Sequence, residues 1–275
     1  MAGADGARSS AILGIVIRSA LFALATSCLV LVACGGNDQG GDPGSSGGPG
    51  GSSGSSGGNG GGPSGSSGSS GGSAFSTQKQ DGIATYYDAD GASAWNCGFP
   101  VTPDDIDITA LNDAEYDKSN GCGACFVVTG PKGSVTVRAV DRCPGCEKGH
   151  LDLSEQAFAK IAEPKAGRVP ITYQGVACGV SGNLSYHFKD GSSKYWTAIQ
   201  IRNHKVPITK VEYQKNGAFV DMPRSDYNYF IDPKGVGDQP NGIKLRITSV
   251  DGQVVEDTVP GVGDDKLVPG AVQFK

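Results

Sequence analysis

The sequence predicts a mainly β protein with two folded domains, and three observations lead to this fold class. Short apolar runs punctuated by glycine fill the chain from Ala74 onward. The alternating run from Ser134 to Val140 has the period of a half-buried strand. The dipeptides Asn216-Gly217 and Asp251-Gly252 lie between alternating runs, as two-residue hairpin turns do. The roughly 200 residues after Ala74 are enough for two small domains, each with its own core.

The first 33 residues predict an export signal. Arg8 and Arg18 precede an apolar segment, Leu21 to Ala33, that is too short and too rich in small residues for a membrane span. The segment ends in a sequence that resembles the bacterial lipobox, so we expect residues 1–33 to be a lipoprotein signal peptide and Cys34 to be lipidated. The alternative is an ordinary secretory signal with an incidental cysteine.

Residues 34–73 consist almost only of Gly, Ser and Pro, which predicts a disordered linker that cannot bury a core. The protein is therefore expected to be exported and either lipid-anchored at the cell envelope or secreted, with the N-terminal lipid as its only membrane contact. The formal net charge of -5 argues against nucleic acid as a partner.

The first domain, residues 74–180, opens with a strand that ends in a polar turn. Alternation places Thr85 and Tyr87 on one face, where they could contact a sugar or form an ordinary cross-strand pair. Asp88 and Asp90 follow in the turn, where aspartates most often serve the backbone. Trp95 could line a groove or lie in the core.

Two further carboxylates, Asp141 and Asp152, are candidates for chemistry on a glycan. The strand from Ser134 to Val140 is expected to deliver Asp141 to its end, and Asp152 is expected just before a helix capped by Ser154 and stopped by Pro164. Paired carboxylates over a groove are the equipment of glycoside hydrolases. The structural alternative is a turn aspartate and a helix-start aspartate.

Six of the 8 cysteines lie in the first folded half of the chain. The spacing of Cys122-x-x-Cys125 and Cys143-x-x-Cys146 would suit zinc in a cytosolic protein. Export favours disulfides instead, because an even number of cysteines in an oxidising compartment predicts a disulfide framework. We therefore expect three bridges and no metal, although the sequence alone allows 15 pairings of six cysteines.

The second domain, residues 181–275, contains no cysteine and is predicted to be a β-sandwich because of its hairpin signals. Tyr195, Trp196 and Tyr227 lie beside polar residues, which suits stacking on a flat carbohydrate surface. In a regular strand Tyr195 and Trp196 would point to opposite faces, so the alternative is that one of them lies in the core.

Four motifs, read in order, resemble those of the bacterial expansin family: Gly82-Ile83-Ala84-Thr85-Tyr86, Leu151-Asp152-Leu153-Ser154-x-x-Ala157-Phe158, Ala198-Ile199-Gln200-Ile201-Arg202-Asn203-His204-Lys205 and Val268-Pro269-Gly270-x-Val272-Gln273-Phe274. The resemblance covers Gly82 to Lys275. It implies a six-stranded double-psi β-barrel related to family-45 endoglucanases, followed by an immunoglobulin-like β-sandwich that binds cellulose. It also implies loosening of plant cell walls without detectable hydrolysis, with no cofactor and no metal.

The resemblance also implies roles for individual residues. In the groove, Thr85, Asp141 and Asp152 match the threonine, the first aspartate and the aspartate equivalent to the hydrolases' general acid. In the second domain, the aromatic platform matches Tyr195, Trp196 and Tyr227, and Lys189 matches a basic residue near it. The six cysteines and His150-Leu151-Asp152 resemble the plant pattern instead, and the cysteine pattern implies the pairs Cys97 with Cys122, Cys125 with Cys178, and Cys143 with Cys146.

Two positions depart from the best-known bacterial members. Cys143 stands where they have a groove tyrosine, so that sugar contact is either missing or supplied by Tyr87. Tyr195 stands where they have tryptophan, which keeps the ring but reduces the stacking area.

The function expected from these residues is non-hydrolytic loosening by a monomer that binds cellulose, with xylan or peptidoglycan as other possible polymers. Hydrolysis needs a base, and the family pattern places Ala89 at the base position, although Asp88 and Asp90 flank it. The alternatives are a weak glycoside hydrolase, either endoglucanase-like or active on peptidoglycan, and a purely carbohydrate-binding lipoprotein.

Overall fold

The computed structural model of the chain describes residues 75–89, 94–101 and 106–275, all within one compact unit. The predicted signal peptide, the predicted linker, Cys34 and Asp90 lie outside these residues. Within the described ranges, no helix is long and apolar enough to cross a membrane.

The first half of the described chain is a closed six-stranded barrel with the strand order β1-β5-β2-β4-β3-β6. Its strands are β1 (Gln80–Tyr87), β2 (Ile108–Asn112), β3 (Cys125–Thr129), β4 (Ser134–Cys143), β5 (His150–Ser154) and β6 (Val169–Val176). The pairs β1–β5 and β2–β4 run parallel, and the other four pairs run antiparallel. This barrel confirms the double-psi architecture that the resemblance implies.

Two short helices accompany the barrel, α1 (Asp113–Tyr116) and α2 (Glu155–Ile161). The cap of α2 is as predicted, because Ser154 Oγ accepts a hydrogen bond from the amide of Ala157. The helix buries Phe158 and Ile161 against the barrel, and a 3-10 turn begins at Pro164.

Both carboxylates lie within strands: Asp141 is two residues before the end of β4, and Asp152 precedes α2 as predicted. β4 continues past Asp141, since β2 pairs with it in parallel as far as Asn112 opposite Cys143. Asp152 is the central residue of β5, which is held between β1 and β2. Neighbouring strands therefore fix the backbone of Asp152 on two sides and that of Asp141 on one side. Neither aspartate is a turn residue or a helix-start residue.

The second half consists of two four-stranded antiparallel sheets that share one core. The sheet with the order β10-β9-β12-β13 comprises β9 (Ile208–Lys215), β10 (Ala218–Asp221), β12 (Ile243–Ser249) and β13 (Val254–Val259). The sheet with the order β11-β8-β7-β14 comprises β7 (Ser185–Phe188), β8 (Thr197–Arg202), β11 (Phe230–Asp232) and β14 (Lys266–Pro269). Side chains of both sheets, such as Phe188, Ile199, Tyr213 and Leu245, form a single buried cluster. The predicted β-sandwich is confirmed.

Both predicted hairpins are present, joining β9 to β10 and β12 to β13. Only Asn216-Gly217 forms a two-residue turn, because β12 ends at Ser249 and β13 begins at Val254, which leaves a longer loop around Asp251-Gly252. Asn216 and Gly217 both have positive φ angles, of 52° and 82°. A two-residue turn of this kind requires such angles, which is why Asn-Gly predicts it.

Three disulfides join the six cysteines in the pairing that the resemblance implies, Cys97–Cys122, Cys125–Cys178 and Cys143–Cys146. The first two are buried, and the third lies half-buried in the turn that follows β4. Among the described residues, no group of three or more His, Cys, Asp or Glu side chains is placed to hold a metal ion.

Polar contacts join the barrel to the sandwich. The carbonyl oxygen of Cys97 accepts hydrogen bonds from Gln200 Nε2 at 2.9 Å and from Asn228 Nδ2 at 3.2 Å. Ser119 Oγ donates to the carbonyl of Ser225, and the buried Arg224 donates to the carbonyl of Ser119. The segment 224–228 of the sandwich is thus held directly against the barrel.

A second contact forms where β8 ends. His204 is buried against Gly123 of the barrel. Gly123 has a φ of +75°. A Cβ at this position would lie 2.4 Å from His204 Cε1, so the contact leaves no room for a side chain. His204 Nδ1 is 2.8 Å from the carbonyl oxygen of Val206, and the Cys178 amide donates to the carbonyl of Lys205. The turn after β8 is therefore part of the connection between the two domains.

Candidate functional site

The two groove aspartates lie on either side of one small residue. Ala110 in β2 is opposite Asp152 on the β5 side and opposite Asp141 on the β4 side. Two strand spacings separate the backbones of the two aspartates, which is about 10 Å. Because Ala110 has only a methyl side chain, the floor between the carboxylates is low. The barrel brings together two residues that are 11 positions apart in sequence and that the sequence predicted as a pair.

Asp152 is held by a side chain from the neighbouring parallel strand. Thr85 is directly opposite Asp152 in the β1–β5 pairing, and Thr85 Oγ1 donates to Asp152 Oδ1 at 2.5 Å. Thr85 Oγ1 is also 2.8 Å from His150 Nε2. His150 and Asp152 are two residues apart on β5, so they share one face of the strand. The groove therefore contains a hydrogen-bonded chain from His150 through Thr85 to Asp152.

Asp141 is fixed by backbone amides instead of side chains. Its Oδ1 accepts from the amide of Asn96 at 2.8 Å and from the amide of Arg142 at 2.9 Å. Charge-assisted bonds from amides of this kind hold a carboxylate in one orientation. The carboxylate of Asp141 is therefore preorganised as a hydrogen-bond acceptor.

Tyr87 lies close enough to both carboxylates to feel their charge. Burial raises the pKa of Tyr87, and the negative charges of Asp141 and Asp152 raise it further. The phenol therefore stays protonated and can act as a donor. Its hydroxyl is buried and has no hydrogen-bond partner among the described residues. Cys143 is tied to Cys146 and offers no phenol, so Tyr87 is the tyrosine available beside the two aspartates.

The other residues of the first domain that the sequence analysis considered differ in burial. Trp95 is 4% exposed and belongs to the barrel core, so it does not line the groove. Ala89 is buried at the end of the same chain segment as Tyr87, and the exposed Asp88 precedes it. Asp90 lies outside the described residues.

The sandwich presents its aromatic residues at the ends of one sheet. Tyr195 is 73% exposed, Trp196 is half-buried just before β8, and Tyr227 is 40% exposed before β11. None of the three belongs to the sandwich core. Tyr195 and Trp196 escape strict alternation because they lie in the irregular turn before the strand, where Ser193 pairs with Trp196.

Strand alternation assigns the two faces of β8. Ile199 and Ile201 of β8 point into the sandwich core, so Ala198 and Gln200 point to the opposite face. β8 and β11 run antiparallel, with Thr197 opposite Asp232, so Trp196 and Tyr227 lie at opposite ends of this pair of strands.

Lys189 follows β7 in the same sheet and is half-buried. Its backbone amide donates to the carbonyl of Ala198, which places it next to β8, the strand that Trp196 precedes. Burial lowers the pKa of His187, and the positive charge of Lys189 lowers it further. Lys189 is thus beside the aromatic sheet, as the resemblance implies.

Sequence reasoning did not assign a role to His150, Asn96, Tyr229 or His187. Tyr227 packs against Tyr229 with ring centroids 5.8 Å apart, and Tyr229 Oη is 2.8 Å from His187 Nδ1. The spacing of His150 and Asp152 on a strand is a signal that could have identified His150. Asn96 has no such signal, since its contact with Asp141 joins residues that are 45 positions apart.

Comparison with known proteins identifies relatives for nearly all of the described chain. The family described as lytic transglycolase matches residues 108–173, within the barrel. Expansin-YoaJ of Bacillus subtilis (strain 168) is 40% identical over 204 residues, covering 70% of this chain and 86% of that protein. Expansin-like protein 1 of Dictyostelium discoideum is 37% identical over 205 residues, covering 70% of each chain.

Solved structures give the same result. The crystal structure of the apo Clavibacter michiganensis expansin is similar with a TM-score of 0.66 and 33% identity, covering 72% of this chain and 98% of that chain. An Asp-to-Asn mutant of that expansin, crystallised in complex with cellohexaose, matches equally well. Sequence identity of this level extends across both the barrel that carries the aspartates and the sandwich that carries the aromatic residues. The chain therefore belongs to the expansin family.

Proposed function

We propose that the protein binds cellulose-type glucans and loosens plant cell walls without cutting their chains. The observation that carries this proposal is the relative crystallised with cellohexaose, which is 33% identical to this protein and covers 72% of its chain. The groove and the aromatic residues described above supply the surfaces that such a ligand would need.

The groove can hold a glycan chain through its hydroxyl groups. Asp141 and Asp152 accept hydrogen bonds, and carboxylate acceptors form stronger bonds than neutral ones. Tyr87 offers a protonated phenol whose hydroxyl has no partner among the described residues. A glycan that bonds to these groups gives up bonds to its neighbouring glycan. Competition of this kind separates polymers while every glycosidic bond stays intact.

The aromatic residues suit the flat face of a polysaccharide. Tyr195, Trp196 and Tyr227 can stack on sugar rings, and Lys189 can bond to hydroxyl groups at the edge. Each stacked ring buries apolar surface at low cost in side-chain entropy. We therefore assign anchoring on cellulose to the sandwich and loosening to the barrel.

The test combines two assays on the exported form of the protein. Clamped, heat-inactivated wall strips should extend when the protein is added, and amorphous cellulose should release no reducing sugar. Extension together with sugar release would replace the proposal with hydrolysis. Binding to cellulose without any extension would leave a purely carbohydrate-binding protein.

A second candidate function is cleavage of a glycan, with peptidoglycan as the first polymer to test. It is favoured by the match of residues 108–173 to the lytic transglycolase family and by the position of two carboxylates on either side of Ala110. Inverting hydrolases need two carboxyl groups about 6.5 to 9.5 Å apart with a water between them. Release of soluble muropeptides from purified peptidoglycan, lost in Asp152→Asn, would establish this alternative.

We also propose that the protein is exported as a monomer and tethered through a lipid on Cys34. The basic residues and apolar segment before Cys34 support export, and disulfides persist in oxidising compartments. Mass spectrometry of the mature N-terminus should find a diacylglyceryl group on Cys34. An unmodified N-terminus that begins elsewhere would indicate an ordinary secretory signal.

A further inference from the structure

We propose that His150 is a positioning residue of the groove: its Nε2 donates a hydrogen bond to Thr85 Oγ1 and thereby directs the hydroxyl proton of Thr85 onto Asp152. The activity test of this inference rests on the proposed function. The hydrogen bonds themselves can be measured without an activity assay. It gives a role to a histidine for which the sequence analysis stated none.

The number of available protons determines the direction of each bond. Thr85 Oγ1 donates the one proton of its hydroxyl to Asp152 Oδ1 at 2.5 Å. Thr85 Oγ1 then has only lone pairs to offer to His150 Nε2 at 2.8 Å. His150 must therefore carry a proton on Nε2, and the neutral ring must carry none on Nδ1.

The strand register keeps the three residues in line. Ile83 is opposite His150 and Thr85 is opposite Asp152, so the parallel β1–β5 pair fixes all three backbones. The carbonyl of His150 accepts from Asn112 Nδ2, and its amide donates to the carbonyl of Glu147. The imidazole can thus hold the threonine hydroxyl in one rotamer. Without that donor, only the bond to Asp152 restrains the threonine hydroxyl, and the carboxylate is held less firmly.

The surrounding charges act on the imidazole in opposite directions. Burial lowers the pKa of His150 below its ordinary value, and Arg168 lowers it further, while Asp152 and Glu147 raise it. The net effect is a lowered pKa, so the ring is neutral at pH 7. Nε2 keeps its proton in both the neutral ring and the cation, so the donor to Thr85 persists across this titration.

Two substitutions separate the donor from the other properties of the side chain. Glutamine places its Nε2 the same number of bonds from Cα as histidine does, so His150→Gln keeps the donor and removes the titration. His150→Leu keeps comparable bulk and removes the donor. We expect His150→Gln to retain most of the wall-extension rate and His150→Leu to lose roughly two- to tenfold, as for one lost hydrogen bond. Cellulose binding should be unchanged in both.

Nuclear magnetic resonance measures the bond without any activity assay. The chain has 3 histidines, so protein labelled with ¹⁵N in histidine gives a small set of ring signals. The signals that are absent from the spectrum of His150→Gln belong to His150 in the parent. At pH 7 these parent signals should show a protonated Nε2 and an unprotonated Nδ1. His204 serves as an internal reference, because its bond to the Val206 carbonyl places the proton on Nδ1. In Thr85→Val the His150 signals should move toward a mixture of the two tautomers.

The outcomes separate this proposal from the proposed function. If the parent protein extends no wall strips, the proposed function fails, and the tautomer of His150 still decides the hydrogen bond. If the parent extends walls, equal activity of His150→Leu and the parent would refute the positioning role, as would a His150→Gln protein as inactive as His150→Leu. A proton on Nδ1 instead of Nε2 would refute the bond itself. The melting temperature of each variant identifies any that fail to fold.

Discussion

Asp152 is the side chain on which the groove depends, since it both accepts from Thr85 and lies opposite Ala110 at the groove floor. In Asp152→Asn the amide oxygen can still accept from Thr85, so the fold should be kept and the melting temperature should stay within a few degrees of the parent. The charge that we propose grips a glycan is lost. We expect wall extension to fall to background while binding to insoluble cellulose remains, as measured by creep of wall strips and by pull-down.

Full wall extension by folded Asp152→Asn would mean that another group grips the glycan. The matched comparison is Asp141→Asn, whose Oδ1 accepts from two backbone amides. An amide oxygen can accept both of these bonds, so this variant also keeps its local structure. A partial loss there would show that the two carboxylates contribute separately.

Trp196 should dominate binding by the sandwich because it offers the largest ring among the three aromatic residues. By analogy with aromatic stacking on bases, Trp196→Ala should cost about 1 to 3 kcal/mol of binding free energy. A cellulose-binding isotherm should therefore weaken by roughly 5- to 150-fold. Phe219→Ala is the control, since Phe219 lies on the other sheet and packs against Arg246. Equal binding by the two variants would contradict the platform.

Some groove residues could be predicted from the sequence, because alternation along a strand shows which side chains share one face of the sheet. Thr85 and Tyr87 were predicted on one face, and the structure directs both toward the aspartates. The amides that hold Asp141 were not predictable, because a backbone contact carries no residue-type signal. Trp95 could be assigned to the core only once its burial was known.

The turn after β8 is an element whose stability should depend on pH. Burial lowers the pKa of His204 from its ordinary 6.5 to about 4, so the unfolded chain takes up the proton first as pH falls. The stability from keeping this ring neutral is complete above pH 6.5 and is lost as pH falls toward 4. Between pH 7 and pH 4.5 the free energy of unfolding should fall by about 2 to 3 kcal/mol through this group.

Denaturant unfolding at a series of pH values measures this effect. His204→Asn keeps a donor for the Val206 carbonyl but does not titrate. The fall in its free energy of unfolding between pH 7 and pH 4.5 should therefore be smaller than in the parent by about 2 to 3 kcal/mol. This comparison holds whatever the stability of the variant at pH 7. His187→Asn is the comparison, since His187 is only partly buried and lies near Asp265. The same pH dependence in His204→Asn and the parent would show that His204 does not titrate as inferred.

Elements with a clear local pattern were predicted well. The strand with Val135, Val137 and Ala139 buried, the cap at Ser154 and the Asn216-Gly217 hairpin all follow from their own residues. The parallel pairing of β2 with β4 and its irregularity after Thr109 were not predictable, because residues distant in sequence impose them. That pairing is what extends β4 beyond Asp141.

At the scale of the whole molecule, the two domains are connected through Tyr116. Its hydroxyl donates to the carbonyl of Asp226 at 2.5 Å and accepts from Asn96 Nδ2 at 2.8 Å. Tyr116→Phe removes both bonds. It should cost about 1 kcal/mol of stability and let the segment that carries Tyr227 move relative to the barrel. We expect slower wall extension with little change in cellulose binding.

The control for Tyr116→Phe is Tyr213→Phe, which removes a phenol bonded to Asp232 within the sandwich. It should cost similar stability and leave wall extension unchanged. Small-angle X-ray scattering should show a broader distance distribution for Tyr116→Phe alone. Identical scattering and identical extension in the two variants would show that Tyr116 does not connect the domains functionally.

The whole-molecule arrangement was the part least accessible from residue patterns. Periodicity indicated strands and a sandwich, but the closed order of the barrel came only from the resemblance to a family. Strand order depends on pairings between distant segments, which no short window of sequence contains.

The hydrogen bonds that hold segment 224–228 against the barrel have one more consequence, which concerns the length of the glycan. A rigid connection makes the protein a bivalent receptor, and a chain long enough to reach both surfaces binds the second at a high effective concentration. A short oligosaccharide can occupy one surface only. Affinity should therefore rise steeply once the chain spans both, and soluble fragments in the wall should be poor competitors for the polymer.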